Sequence, residues 1–314
     1  MRILILGGTT LTGPYAVRRL HALGHEVTVF HRGEHEAELP AGVRHIHGDF
    51  AHLPPETSDP APDVVVHMWV MTEMDAELLV NSFRGKAARA VVISSGDVYR
   101  AYGRLIGLES GVPDPIPLTE DAPLRDSRYP YRKIAPNPDH WMAQYDKVLV
   151  ERVLMHQSDL PTAVLRFPAV LGPKEYRRFE RWLQPMLRGD MQLRIQEGWA
   201  SWRWTHGFAE NVAEAVVLAA TNSSSAGQIY NVGESHAPTM AERLAEFART
   251  VGWRGRIVEV PASELGETDR MPYDFAHHIA YDTSRIRTEL GYKEVVSPEV
   301  SLARTLEYER AAEG

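Results

Sequence analysis

The first thirteen residues constrain the fold of this chain most. The apolar run Arg2–Leu6 leads directly into the glycine turn Gly7–Gly13 and then into a helical stretch over 15–23. A short strand, a glycine turn and a helix, in this order, open a βαβ unit that binds a dinucleotide, although Thr10 stands where the middle glycine of the pattern usually lies. Main-chain amides of the turn point at a phosphate beside the positive helix end. The predicted contacts are Gly7, Thr9, Thr10, Leu11 and Gly13.

Strand patterns and helical patterns alternate along the rest of the chain, which is typical of a parallel sheet covered on both faces. Continuous apolar runs such as Val64-Val65-Val66 suit strands that are buried on both faces. The pattern predicts strands at 2–6, 26–30, 43–47, 63–67, 90–94 and 162–166, and helices near 15–23, 73–83, 139–156, 174–188, 208–221 and 239–251. The fold class is therefore α/β, a Rossmann-type doubly wound parallel sheet with a smaller C-terminal substrate-binding region.

A change of composition after Gly172 suggests a division of the chain. The strand pattern thins there, and four tryptophans follow within a short stretch: Trp182, Trp199, Trp202 and Trp204. We expect residues 1–172 to form the dinucleotide-binding domain, with 206–235 returning to it. Residues 173–205 and 236–314 then form the substrate-binding region, where the tryptophans pack in a core or line a cleft. The Pro-rich, charged stretch 113–138 is a long loop.

Composition narrows the classes of function. The 34 Lys and Arg residues against 42 Asp and Glu give a net charge of −8, which disfavours general nucleic-acid or membrane-surface binding. No apolar run approaches the eighteen or so residues of a membrane span, and the short N-terminal apolar stretch is not a secretory signal. With no cysteine, disulfides, thiolate metal sites and a cysteine nucleophile are excluded. We expect a cytoplasmic protein.

Several segments, taken together and in order, resemble the extended short-chain dehydrogenase/reductase family, the NAD-dependent epimerase/dehydratase group. The glycine turn is similar to that of an atypical subgroup that includes chloroplast stem-loop RNA-binding proteins. The likeness covers nearly the whole chain and is carried by Gly7–Gly13, Gly48-Asp49, His67, 93–99, 165–173, 211–213, 230–233 and 282–292.

The end of the second strand bears on the choice of cofactor. In the family an acidic residue there accepts hydrogen bonds from the adenosine ribose of NAD, whereas this chain has His31 and Arg32. A guanidinium can pair with the 2′-phosphate of NADP in bidentate fashion, so we expect NADP, with NAD as the alternative. The resemblance further implies that Asp49 contacts the adenine amino group. It places other cofactor contacts at Phe50, Met68, Lys147, Phe167, Pro168 and Val170.

The family works with a serine, a tyrosine and a lysine, and one of them is missing here. By resemblance Ser95 is the serine and Lys147 the lysine, but the tyrosine position four residues earlier is Ala143. Tyr145 is the nearest phenol and is a candidate catalytic residue. At about 100° per residue, however, it would point roughly 200° away from Lys147 on a regular helix.

Three explanations of the missing tyrosine remain open. A phenol from elsewhere occupies the proton-donor site, or a different acid transfers the proton, or the protein binds the cofactor without the usual redox step. The phenols are Tyr99, Tyr102, Tyr129 and Tyr131, and the acids are Asp139 and His140.

Basic and aromatic residues mark a substrate end. On the helix predicted for 174–188, Arg177 and Arg178 lie four and three residues before Arg181, so the cations form a fork that can clamp a phosphate or carboxylate, or a solvated charged face. Trp204 is a further substrate candidate. No helical His-x-x-x-His or Glu-x-x-His spacing is present, so no metal is predicted.

The function best supported by the sequence is an NADP-binding oxidoreductase or epimerase that acts on a hydroxylated or carbonyl small molecule. The alternatives are a cofactor-binding protein without redox turnover, regulatory or RNA-binding, and a non-redox lyase, isomerase or cyclase that uses the same pocket. By resemblance we also expect a homodimer formed through the helices at 73–83 and 139–156.

Overall fold

The fold is an eleven-stranded, ten-helix α/β arrangement in the residues that the computed structural model describes, 1–175 and 177–311. The strands are β1 (Arg2–Leu6), β2 (Glu26–His31), β3 (Arg44–His47), β4 (Val64–His67), β5 (Arg89–Ser95), β6 (Thr162–Phe167), β7 (Ala169–Leu171), β8 (Gln192–Gln196), β9 (His206–Phe208), β10 (Ile229–Asn231) and β11 (Arg256–Val260). The helices are α1 (Gly13–Ala22), α2 (Glu73–Phe83), α3 (Arg100–Leu105), α4 (Trp141–Gln144), α5 (Lys147–Met155), α6 (Glu180–Arg188), α7 (Ala209–Thr221), α8 (Met240–Val251), α9 (Ser284–Leu290) and α10 (Pro298–Arg310).

Seven strands form one parallel sheet in the order β10-β6-β5-β4-β1-β2-β3. Its strands are fully buried where their sequences are continuously apolar. In β4, Val64 and Val66 join one apolar cluster while Val65 joins the other, because successive side chains point to opposite faces. The predicted doubly wound sheet is confirmed.

Helices cover both faces of the sheet. On one face α1 and α7 pack through Val17 and Val216, and on the other α2 and α5 pack through Leu79 and Leu154. The order of strands reverses between β1 and β4. In open α/β sheets a ligand binds at such a switch point, outside the carboxyl ends of the strands.

A second apolar core lies beside the carboxyl end of the sheet. It gathers α6, α8, part of α3 and most of the aromatic side chains of the C-terminal half. Two small parallel pairs, β7 with β9 and β8 with β11, complete this part of the molecule, and β10 lies in the main sheet beside β6.

Two predicted helices differ from the structure. The helix predicted for 139–156 is two helices, α4 and α5, separated by Tyr145 and Asp146 in extended conformation. The helix predicted for 174–188 begins only at Glu180, because Lys174 and Arg177 have φ of 69° and 51°. Those angles lie outside the right-handed helical region. Within the described ranges, no helix is both long and apolar enough to cross a membrane.

Candidate active site

The glycine turn leaves room for a phosphate group. Gly7 has φ of 89°, and its amide donates to the carbonyl of Phe30 at 2.8 Å. A Cβ added to Gly13 would lie 2.3 Å from the Cα of Gly8, so only glycine lets the start of α1 close onto the turn. Thr9 and Leu11 lie between them, at the N-terminus of the helix. This geometry fits the pyrophosphate of a dinucleotide.

The residues predicted to meet the adenosine half of the cofactor lie at the carboxyl ends of β2 and β3. Arg32 is exposed, and its guanidinium lies 2.9 Å from the carboxylate of Glu34. Asp49 is exposed just after β3, and its carboxylate accepts from the amide of Ala51 at 2.9 Å. Phe50 packs edge-on against Phe30 with ring centroids 5.4 Å apart. The structure thus brings three of the predicted cofactor contacts, Arg32, Asp49 and Phe50, to the same edge of the sheet.

His31, Glu36 and His45 come together beside Arg32, with side-chain atoms within 4.8 Å of one another. Sequence reasoning considered only helical spacing, whereas His31 and His45 lie on the neighbouring strands β2 and β3. The amide of Gly33 donates to Nδ1 of His31 at 3.2 Å, so the ring proton lies on Nε2, which faces Nδ1 of His45 at 3.1 Å. A ring nitrogen that carries a proton does not bind a metal ion, so the cluster is a hydrogen-bonded group in this arrangement.

Lys147, the lysine predicted by resemblance, lies at the first position of α5. Its ammonium donates to the carbonyls of Val70 and, at 2.9 Å, Ile93, and lies 5.8 Å from the centre of the Tyr145 ring. Complete burial lowers the pKa of Lys147 to about 8. Burial, and then the Lys147 charge, lower the pKa of the neighbouring His67 to about 3, which leaves that imidazole neutral.

Asp146 explains why the helix breaks before Lys147. Its Oδ1 accepts from the amide of Val148 at 3.0 Å and so caps α5, while Oδ2 accepts from the amide of Tyr129 in the long loop at 2.7 Å. The side chains of Asp146 and Arg125 are both fully buried, 3.3 Å apart. Aspartate is a preferred N-cap residue, so Asp146 does indicate in the sequence that a helix starts there. The family's four-residue spacing of tyrosine and lysine instead led to the prediction of one continuous helix.

The break turns Tyr145 toward a carboxylate that sequence reasoning missed. The Tyr145 hydroxyl donates to Oδ2 of Asp97 at 2.7 Å, and the Tyr131 hydroxyl donates to the same oxygen at 3.0 Å. Tyr131 also shares a 2.8 Å hydrogen bond with the hydroxyl of Tyr102. Four exchangeable groups thus form one chain, Tyr145–Asp97–Tyr131–Tyr102. The 200° argument against Tyr145 is wrong because 143–147 is not one regular helix.

Asp97 is a buried acid with an incomplete hydrogen-bond set. Its Oδ1 is buried and has no partner among the described residues. Burial raises the pKa of Asp97, against the opposing effects of Arg125 and of its hydrogen bonds from Tyr145 and Tyr131. Burial also raises the pKa of Tyr145 well above its ordinary value, so Tyr145 is a neutral phenol at pH 7. A carboxyl with a raised pKa in a cleft is a candidate acid or base.

The other candidates for the missing tyrosine have different surroundings. Tyr99 donates to Asn231 at 2.6 Å and accepts from Arg166 at 3.0 Å, inside the sheet's polar network. Tyr129 packs under the guanidinium of Arg132, 3.7 Å from its ring centre. Asp139 is exposed, and His140 accepts from the amide of Met142 to cap α4. Tyr131 and Tyr102 are therefore the candidate phenols that the structure brings to Asp97.

The remaining predicted cofactor contacts lie along the same edge. A Cβ on Gly7 would come within 3.2 Å of the Cβ of Met68, so Met68 borders the glycine turn. Ser95 and Phe167 are register partners at the ends of β5 and β6, and Pro168 follows directly. Val170 lies further on, in register with Gly207 in the β7–β9 pair.

A cavity of about 410 Å³ opens at this edge, between Ser95, Asp97 and Phe167 on one side and the C-terminal half on the other. All four clustered tryptophans line it, together with Arg178. A larger cavity of about 600 Å³ is lined by Glu234 and Arg243, among others, and by none of the predicted site residues. The smaller cavity is the candidate substrate site.

The predicted arginine fork is not formed. Because 174–179 is not helical, the three side chains diverge: Arg177 packs over the ring of Tyr308 at 4.9 Å, Arg178 over Trp204 at 4.8 Å, and Arg181 over Trp182 at 5.6 Å. Of the three, Arg178 lines the cavity, while Arg177 faces α10. The helical spacing on which the predicted fork depends is therefore absent, and Arg178 is the arginine of this set that the structure places at the cavity.

Comparisons with known proteins agree with the fold. A sequence model of the NAD dependent epimerase/dehydratase family matches residues 3–233. A 3-diazoavenalumate denitrifying reductase from a Streptomyces species is 28% identical over 264 residues, which are 80% of this chain and 82% of that protein.

Two solved structures show the same architecture at low identity. The epimerase Mth375 from Methanothermobacter thermautotrophicus superposes with a TM-score of 0.71 at 17% identity, over 99% of this chain and 93% of that one. The UDP-glucuronic acid 4-epimerase from Bacillus cereus, in complex with UDP-glucuronic acid and NAD, superposes with a TM-score of 0.70 at 18% identity, over 99% and 100%.

Proposed function

The chain belongs to the NAD dependent epimerase/dehydratase family, and on that premise we propose that it is an oxidoreductase for a carbonyl or hydroxyl compound in which Asp97 replaces the missing tyrosine as the proton-holding group. The surroundings of Asp97 support the proposal. Asp97 lines the cavity, its pKa is raised by burial, and it accepts hydrogen bonds from Tyr145 and Tyr131.

The cofactor of the family is a nicotinamide dinucleotide, which when bound supplies or takes up the hydride. The turn from Gly7 to Gly13 would hold its pyrophosphate and Asp49 its adenine. Lys147, with two of its three N–H bonds donated to carbonyls, would hold the nicotinamide ribose with the third. We propose NADP rather than NAD, because β2 ends in His31 and is followed by Arg32, with no carboxylate at its end.

Reduction of a carbonyl needs one hydride on carbon and one proton on oxygen. In the proposed step Asp97 is protonated on Oδ2, so its 3.0 Å hydrogen bond with Tyr131 runs from the acid to the phenol. The hydroxyl of Tyr131, which lines the cavity, gives its proton to the substrate oxygen while the Oδ2 proton of Asp97 passes to Tyr131. Ser95 positions the substrate oxygen from the end of β5, and Tyr145 stabilises the carboxylate that remains on Asp97. Oxidation of an alcohol runs the same proton path in reverse.

Asp97→Asn tests this assignment. The amide cannot supply the proton, so we expect kcat of carbonyl reduction, followed by the absorbance of the reduced cofactor, to fall about 10²- to 10⁴-fold. The dissociation constant of the cofactor should change less than about twofold, since Asp97 lies outside the groups proposed to bind it. Asp126→Asn, which changes an exposed carboxyl in the long loop that also carries Tyr131, is the matched control. Full activity of Asp97→Asn on a carbonyl substrate would remove Asp97 from the reaction.

A second candidate function follows from the missing tyrosine together with the name of the Streptomyces relative, a denitrifying reductase of a diazo compound. On an aryl diazonium group, hydride forms the new C–H bond, the C–N bond breaks, and its electron pair leaves with N₂. The ring carbon is reduced, the nicotinamide is oxidised, and no proton enters. A site without the family's tyrosine suits this step, and an ionised Asp97 would face the cationic substrate.

The same variant separates the two candidates. If carbonyl reduction is the function, Asp97→Asn loses the chemical step, because a proton must be supplied. If hydride displacement of N₂ is the function, Asp97→Asn keeps kcat near the parent value and raises KM, because only the attraction of a carboxylate for a cation is lost. Measuring both parameters on one carbonyl and one aryl diazonium substrate decides between them.

A further inference from the structure

Aromatic rings dominate the walls of the candidate substrate cavity. Half of the described residues that line it are aromatic: Tyr102, Tyr131, Phe167, Phe179, Trp182, Trp199, Trp202, Trp204, Tyr273, Phe275 and Tyr281. Methionine and aliphatic side chains supply most of the rest, such as Met240 and Ile279. A small-molecule site normally combines apolar walls with a few placed polar groups, and here the walls are unusually rich in flat rings.

Three of these rings have their polar atoms engaged in hydrogen bonds. The indole N–H of Trp202 donates to the carbonyl of His277 at 2.9 Å, and the hydroxyls of Tyr102 and Tyr131 bond each other. Trp182 and Trp199 stack on each other with centroids 4.2 Å apart and planes 23° from parallel. The cavity therefore offers mainly ring faces and edges, which favour another flat ring.

Among the described residues that line the cavity, two carry a formal charge, one cation and one acid. Arg178 lies with its guanidinium 4.8 Å from the centre of the Trp204 ring, and Asp97 lies at the catalytic end beside Ser95. The same cation helps to lower the pKa of His206, after burial and Arg243, so its positive field reaches the interior. A diphosphate carries at least two charges and is usually clamped by several cations, whereas one guanidinium matches one carboxylate.

We propose that this cavity takes a planar aromatic acid, with its carboxylate at Arg178, its ring between the tryptophans and its reacting group at Asp97. The proposal rests on the proposed function for the identity of the reacting end. It does not require turnover, because the aromatic walls and Arg178 act on binding alone.

Equilibrium binding tests it without chemistry. We use trans-4-hydroxycinnamate as the probe, with the full chain saturated with oxidised NADP, and follow quenching of tryptophan fluorescence and heat by calorimetry. Two comparison ligands each remove one recognised group: 4-hydroxycinnamyl alcohol lacks the charge, and 3-cyclohexylpropanoate lacks the aromatic ring. A third ligand, UDP-glucose, replaces both. We expect the cinnamate to bind about tenfold more tightly than each of the three.

Variants locate the contact. Arg178→Gln should lower the affinity for 4-hydroxycinnamate about tenfold and leave the affinity for the alcohol unchanged, because only the charge-assisted pairing is lost. Trp204→Leu should lower the affinity for both aromatic ligands about three- to tenfold. Arg181→Gln and Trp253→Leu are matched controls, since both residues lie outside the described cavity walls, and they should change neither. Circular dichroism and thermal unfolding check that each variant is folded.

The outcomes separate this inference from the function it builds on. Cinnamate binding that depends on Arg178, with no hydride transfer to any carbonyl or diazonium compound, would keep the aromatic site and overturn the oxidoreductase. Hydride transfer with UDP-glucose bound more tightly than cinnamate, or an affinity that does not respond to Arg178→Gln in folded protein, would overturn the aromatic acid.

Discussion

The hydroxyl of Tyr145 donates a 2.7 Å hydrogen bond to the carboxylate of Asp97, although Tyr145 lies two residues before the lysine and not four. The bond exists because the chain is extended at Tyr145 and Asp146, between two helices. A phenol near Lys147 thus contacts a buried acid, while Ala143 lies in the preceding helix α4.

Restoring the family residue at position 143 should therefore fail. Ala143 is 4% exposed in α4, so a tyrosine there overpacks the site and does not come to lie one helical turn before Lys147. We expect Ala143→Tyr to lower the free energy of unfolding by about 1–3 kcal/mol, measured with urea, and to leave hydride transfer no faster. Gln144→Tyr, at the exposed next position of α4, is the control and should be near neutral. A faster Ala143→Tyr enzyme would contradict the broken helix.

Tyr145→Phe should shift the pH dependence of carbonyl reduction. The hydrogen bond from Tyr145 lowers the pKa of Asp97, so its loss raises that pKa further. Because the protonated acid is the active form in reduction, the alkaline limb of the kcat profile should move to higher pH, and the maximal rate should change little. The phenylalanine ring keeps the contacts with Trp141 and Tyr131. Tyr230→Phe, which removes a phenol bonded to Glu289 far from the site, should leave the profile in place. If the alkaline limb of the kcat profile stayed at the same pH in Tyr145→Phe, that result would count against Asp97 as the acid.

The sheet was predictable because its signals are local. Continuous apolar runs such as Val64-Val65-Val66 and the glycine turn appear directly in the sequence, and six strands were predicted within about one residue of their bounds. The family resemblance, carried by the glycine turn and segments such as 93–99, is confirmed by the match over residues 3–233.

The acid of the site was less accessible to sequence reasoning. Asp97 follows Ser95-Gly96, and nothing local says that it is buried or that Tyr131, 34 residues away, bonds it. That contact depends on Asp146 and Arg125, which tie the long loop 113–138 to the start of α5. The arginine fork failed for a related reason, since backbone conformation at Lys174 and Arg177 overrode the helical pattern.

Arg32→Ala should weaken the binding of NADP more than the binding of NAD. Arg32 is exposed and free to meet a 2′-phosphate once it leaves the neighbouring carboxylate of Glu34. We expect the dissociation constant of NADP to rise about tenfold and that of NAD to change less than about twofold. Glu34→Gln should lower the dissociation constant of NADP, because a carboxylate that competes for Arg32 is removed. Arg44→Ala, at the opposite end of the neighbouring strand, is the control. Equal losses for both dinucleotides would show that Arg32 does not read the 2′ position.

Lys147→Met should change how stability depends on pH. Burial lowers the pKa of Lys147 to about 8 in the folded protein, against an ordinary value of 10.5, so the folded state disfavours its charge. Below pH 8 both states hold the proton and the full unfavourable contribution is present. Between about pH 8 and 10.5 the folded state loses the proton that the unfolded state keeps, so the contribution of Lys147 to stability rises by about 1.4 kcal/mol per pH unit.

Methionine has similar length and no charge, so this rise is absent from Lys147→Met. Urea unfolding at pH 7, 9 and 10 should show the parent gaining on the variant as pH increases. A pH-independent loss in the variant is also expected, because the carbonyls of Val70 and Ile93 lose their donor. Lys86→Met removes the charge of a lysine that is exposed to solvent and should give a difference that stays flat between pH 7 and 10. A flat difference for Lys147→Met as well would mean that Lys147 is solvated, and with it the proposed hold on the nicotinamide ribose would have to be abandoned.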